Sequence, residues 1–205
     1  MEIRSKGTNF WNWFKHNNER YLDLDTIDEA KLETLLDEFL YQLHQYCNKL
    51  FFQIGGDVGS TKELIISAEG NKDYFDQVEQ LVAAAPPIAH WRIISLKPPV
   101  NEDFTTEHNG IRVSTKELWF LPMQNADETK FLGLRIYVPF YDQERRDDYL
   151  FIIYQILDSV LGEKSHALDI HQVDVGSLGN EPEKAGLLPL NKLPAYIKWK
   201  SKELK

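Results

Sequence analysis

Glu63–Gly70, reading ELIISAEG, and Trp91–Pro99, reading WRIISLKPP, flank a single amphipathic run, and these three pieces together decide the fold. Leu64, Ile65 and Ile66 form a short apolar run bounded by polar residues, the pattern of a strand buried on both faces. Gly70 and Asn71 stop it. Asn71 can accept a hydrogen bond from the first free amides of a helix, and Tyr74, Phe75, Val78, Leu81 and Val82 follow at helical spacing. Pro86-Pro87 cannot continue that helix, and Trp91–Leu96 reads as a second strand closed by Pro98-Pro99. A helix of this length between two strands makes a parallel, right-handed crossover.

The motifs in this stretch are ELxIxAxG at 63–70, LVxAAP at 81–86 and WxxxxxxP at 91–98. They resemble the signature of a family of uncharacterised bacterial proteins. The resemblance runs from FWNWF at Phe10 to LGE ending at Glu163, most of the chain. It implies a shared fold, because the matching residues are fold-forming ones, and it carries over no activity and no catalytic residue.

Outward from the centre, Phe51–Ile54 is a short strand. Gly55-Gly56-Asp57-Val58-Gly59 is turn chemistry that joins it to ELIIS as a hairpin. GDVGSTK is not a phosphate-binding loop: the lysine follows Ser-Thr instead of preceding it, and a strand follows where a helix is required. Upstream, Asn9 is the expected cap of a short helix with Phe10, Trp13, Phe14 and Tyr21 on one side and Trp11 facing elsewhere. Such an aromatic cluster anchors a terminal segment on the core. A second helix, from Asp25 or Thr26 to about Asn48, carries a broad stripe that runs from Leu32 through Leu36, Phe39 and Leu43 to Cys47. Helices thus fill 9–48. Cys47 is the chain's single cysteine, read as a buried structural thiol, and no intrachain disulfide can form.

After Pro99, the polar stretch Val100–Gly110 is expected to be a connector and hinge. Glu117–Met123 and Phe131–Phe140 are strands joined by a polar loop around Asn125–Glu128, and Asp142 opens a long apolar helix that Gly162 should stop. Ala167–Val175 is the next strand. Both halves, about 50–99 and 111–176, therefore read strand, strand, helix, strand. The expectation is one α+β domain over 1–205, with a mixed sheet built from two ββαβ units, the ferredoxin-like halves of an internal duplication. Gly179–Lys205 closes the chain with a last helical turn at Tyr196 and Trp199 and lysines that solvate the tail.

A formal net charge of -9 argues against wrapping nucleic acid, which needs clustered lysine and arginine. Much of that charge lies early, with Asp23, Asp25, Asp28 and Glu29 at its centre. The plain reading is the solvated face of a helix, and the sharper one is a docking strip for a basic partner. The N-terminus has no signal-peptide core and no run is long enough to span a bilayer, so a cytoplasmic protein without a membrane partner is expected.

Candidate chemistry is sparse. Leu132, Leu134, Ile136, Val138 and Phe140 take one face of their strand, leaving Phe131, Gly133, Arg135 and Tyr137 on the other. With Trp119 and His171 these could line a ligand pocket, unless the N-terminal aromatics cover that face, which is the favoured arrangement. His166, Asp169, His171 and Asp174 come nearest to a metal cluster. Strand alternation sets Asp174 opposite Asp169 and His171 unless a bulge intervenes, and no metal is assigned. Glu69 ends a strand before a helix without an evident partner, and Ser67, Ser95 and Ser114 lack a nucleophile setting. No catalytic residue and no cofactor is assigned. The expected function is a non-catalytic protein-binding module of regulatory, inhibitor or immunity type. The alternatives are a ligand binder or enzyme using the sheet-face pocket, and a self-associating protein.

Overall fold

The computed structural model describes residues 2–56, 59–123 and 132–203. The chain divides into two compact units, Met1–Lys97 and Pro98–Lys205.

In the first unit, α1 (Glu2–Asn17) begins at Glu2 and not at Asn9, which lies mid-helix. Two 3-10 turns, Asn18–Tyr21 and Leu24–Thr26, lead to α2 (Glu29–Tyr46), whose first turn is capped by the Asp28 carboxylate accepting from the Lys31 amide at 3.0 Å. The broad stripe of α2 divides. Leu35, Phe39, Leu43 and Tyr46 are buried, while Leu32, Leu36 and Leu40 are only half-buried. Cys47, which ends the helix, is half-buried too.

Phe39 is the hub of the aromatic core. It meets Phe10, Phe14 and Tyr21 edge-on at centroid distances of 5.7, 5.5 and 5.4 Å, and stacks on Phe52 at 4.0 Å. Contacts of this kind add about 0.5–1.5 kcal/mol each beyond the area they bury. Trp11 belongs to the same core instead of facing away. It is 2% exposed, and its indole N–H donates to the Leu81 carbonyl at 2.8 Å, which satisfies the one polar atom that burial would otherwise orphan.

β1 (Phe51–Gly55) pairs antiparallel with β2 (Lys62–Ser67), and β2 pairs in parallel with β3 (Trp91–Ser95) after the crossover through α3 (Phe75–Ala83). The sheet order is β1-β2-β3. Asn71 accepts from the Asp73 amide at 3.2 Å and starts the turn into α3. Leu64 and Ile66 are fully buried whereas Ile65 is half-buried, so β2 alternates and is not closed on both faces.

In the second unit, the expected polar connector contains a hairpin, β4 (Thr105–His108) and β5 (Ile111–Ser114). Asn109 and Gly110 turn it with φ of 49° and 77°, the paired positive values that suit the twist of a two-residue hairpin. β6 (Trp119–Met123) is antiparallel to β7 (Leu132–Val138). β7 is in turn parallel to β8 (Ile170–Ser177) after α4 (Arg146–Asp169). This repeats the pairing around β2. A short β9 (Leu188–Pro189) adds outside β6, giving the order β8-β7-β6-β9, and α5 (Leu193–Glu203) is a full helix where a single turn was expected. The loop around Asn125–Glu128 and the strand start at Phe131 lie outside the described residues.

Leu134, Ile136, Ile152, Ile153, Ile156 and Leu157 form the centre of this unit's core. Asp142 accepts from the Glu144 amide at 3.0 Å ahead of α4. At Gly162 the helix breaks, with φ 74° and ψ 156°, a backbone only glycine adopts without strain. It resumes to Asp169, so Ala167 is helical and the following strand starts three residues later than its sequence suggests. Phe140 does not share the core face of β7. It sits beyond the strand at φ 57° and is 96% exposed.

Candidate functional site

β1 is an edge strand whose sole ladder partner among the described residues is β2. An antiparallel edge directs the N–H and C=O of alternate residues away from its neighbour. Beside that edge lies a cleft of 910 Å³. All five residues of β1 line one side of it, and Leu32, Leu36 and Leu40 of α2 line another. Residues four apart on a helix repeat at about 6 Å, so the three leucines form a straight apolar row about 12 Å long. They are free to form it because Phe39 and Leu43, one face around, hold α2 to the aromatic core.

Leu24, Ile27 and Ile65 extend the apolar lining. Leu24 is carried by the turn that Thr26 fastens, its amide and hydroxyl donating to the Asp23 carbonyl at 3.1 and 2.8 Å. Asp25, Glu29 and Asp37 supply the carboxylates. Buried Lys62 donates to the Gly56 carbonyl at 2.8 Å and comes within 3.9 Å of Asp25. Of the four acidic residues singled out in the sequence, Asp25 and Glu29 therefore line the cleft. Asp28 is engaged as the cap of α2, and Asp23, also outside the lining, contributes its carbonyl to the turn.

The other candidate surface is the non-core face of β7. Trp119 stands opposite Tyr137 across the β6–β7 ladder. Between Leu132 and Gly133 the β8 partner jumps from Ile170 to Gln172, a bulge in which His171 is the surplus residue. The bulge returns Asp174 to the side of Arg135. Their side chains meet at 3.1 Å, and Arg146 donates to the same carboxylate at 2.9 Å. Partial burial opposes ionisation of Asp174, but the Arg146 hydrogen bond, the Val175 amide and the two guanidiniums outweigh it and hold the carboxyl below its ordinary range. A Cβ on Gly176 would stand 3.4 Å from Arg135 Nε and 3.8 Å from the Tyr137 ring, so both side chains lie across that glycine.

Trp119, Arg135 and Tyr137 are thus brought together. His171, exposed at the bulge, lies about three residues, or ~10 Å, along the ladder from Arg135. Phe10 and Phe14 are buried among the first unit's aromatics, and the Arg135 side chain is 48% exposed. His166 sits on α4 with Nδ1 3.5 Å from Asp158, and Asp169 accepts from Ser165 Oγ at 2.7 Å. Among the described residues no group of three or more His, Cys, Asp or Glu is placed to hold a metal.

Glu69 has partners the sequence did not reveal. Lys97 reaches its carboxylate at 2.7 Å, and its amide donates to the buried Ser67 hydroxyl at 2.9 Å, which together fasten a turn at φ 50°.

Among the described residues no helix is long and apolar enough to cross a membrane. What the β1 cleft offers chemically is recognition: an open strand edge, an apolar row and carboxylates of which Asp25 is paired with Lys62. Comparison of the chain with family models, with curated proteins and with solved structures returns no match.

Proposed function

We propose that this chain is a bacterial, cytoplasmic, non-catalytic protein-binding module of regulatory, inhibitor or immunity type, related to the uncharacterised family whose ELxIxAxG, LVxAAP and WxxxxxxP motifs it resembles. The observation that supports this is the cleft between α2 and the open edge of β1, apolar along its length and edged by Asp25, Glu29 and Asp37. An exposed apolar surface bordered by one sign of charge is the composition of an interface. The common strand order around β2 and β7 supports reading the two units as an internal duplication of ferredoxin-like halves, the cleft described above lying in the first. The face of Trp119, Arg135 and Tyr137 is a weaker place for a ligand, because Asp174 already neutralises Arg135.

The test is retention of partners from native cells by tagged wild-type and Leu36→Asp proteins at low and high salt, identified by mass spectrometry. Wild type should hold one stoichiometric protein that high salt weakens and Leu36→Asp loses. An identical retained set for both proteins, or none for either, overturns the reading.

A further inference from the structure

We infer that the occupant of the cleft is an extended, basic and apolar segment of a partner protein, which adds as a strand to the open edge of β1. This rests on the protein-binding reading above and specifies how that binding works.

Three observations carry it. Successive residues of β1, from Phe51 to Gly55, line the cleft, where an opening over one face of the sheet would be lined by alternate residues. The cleft therefore reaches the backbone edge of β1 as well as the face that carries Ile65, and among the described residues no other strand pairs with the outward N–H and C=O groups of that edge. The leucine row of α2, about 12 Å long, matches the ~16 Å of a five-residue strand, so every second side chain of an added strand can rest on Leu32, Leu36 or Leu40. The carboxylates of Asp25, Glu29 and Asp37 select lysine or arginine on that segment.

A helical occupant satisfies its own backbone and would leave the edge of β1 unpaired. A second copy of this chain would bring its own three carboxylates against these, and its β1, FFQIG, carries no positive charge to offset them.

The experiment starts from a display library of random peptides of about ten residues, selected on the intact protein at low salt. Enriched sequences are synthesised with a fluorophore and titrated by anisotropy. They should alternate apolar residues with lysine or arginine. A scan of single backbone N-methyl groups should show a period of two, with every second position weakening binding about 10-fold or more. Glu29→Gln/Asp37→Asn changes exposed side chains outside any cap and should weaken binding about 3- to 10-fold, as should about 0.5 M salt.

Failure to enrich any peptide over a bead-only control overturns the inference. So does a concentration-dependent dimer that Leu36→Asp dissolves. Peptides that Leu36→Asp loses but that tolerate N-methylation, or lose affinity at helical spacing, overturn strand addition and leave the broader binding function standing. That function fails separately, if cells yield the same partners to the Leu36→Asp protein.

Discussion

Tyr21 is 0% exposed, and its hydroxyl donates to the Leu35 carbonyl at 3.3 Å. Burial, assisted by the charge of Glu38 and opposed by Arg20, pushes its pKa from 10.0 up to about 12. In the unfolded chain the phenol titrates near 10, so the folded state holds the proton more tightly and folding is favoured most below pH 10. That contribution is lost as pH rises from 10 through 12. Two pKa units correspond to about 3 kcal/mol at the limit, and linkage puts the loss near 2 kcal/mol at pH 11.5. Tyr21→Phe keeps the ring in its contacts with Phe39 and Trp13 and removes the titrating group, at a cost of about 1 kcal/mol at neutral pH for the lost hydrogen bond. Urea denaturation of both proteins at pH 9 and 11.5 gives the comparison. Wild type should lose about 2 kcal/mol more than Tyr21→Phe over that interval. If the two fall in parallel, burial of Tyr21 is not what opposes its ionisation, and the account of how α1 and the turn after it hold α2 in place is wrong.

Asp28→Ala removes the side chain that caps α2 and should destabilise by about 1 kcal/mol, whereas Asp28→Asn, which keeps an acceptor oxygen, should restore most of the loss in thermal melts. Gly162→Ala places a side chain on a buried backbone with φ 74° and ψ 156°, and should cost about 1–3 kcal/mol by urea denaturation; an unchanged midpoint would mean that the break in α4 can move.

The central ββαβ order was legible because its signals are local. ELIIS and WRIIS are short apolar runs between stop residues, and Asn71 and Pro86 bracket the helix between them. The hairpin at Asn109-Gly110 was equally visible as a dipeptide, but the polar residues around it hid a pairing that buries only Ile111 and Val113. Trp11 was misplaced because helical spacing sorts apolar positions and gives no account of an indole N–H that finds a carbonyl 70 residues away. Helix α1 starts early because its first turns are polar and carry no periodic signal.

The cleft was half legible. A stripe on α2 that includes Leu32, Leu35, Leu36, Phe39, Leu40 and Leu43 is wider than one contact needs, which marks a second surface on the same helix. That β1 lies at an edge, and so supplies the opposite wall, is a fact of sheet order that no local pattern encodes. The bulge did leave a trace: Ile170 and Val173 are three apart, Val173 and Val175 two, and only a surplus residue lets all three face the core.

That surplus also sets where the chain can change length. An inserted or deleted residue in a regular stretch of β8 turns every later side chain to the wrong side of the sheet, so that a change just ahead of Asp174 would drive it inward and expose Val175. At His171 the count is already one too many, so its deletion would leave a regular ladder with each later residue on its present side. Ahead of Asp174, the bulge is the place where the strand can lose a residue and keep the pairing of Asp174 with Arg135 and Arg146 in register.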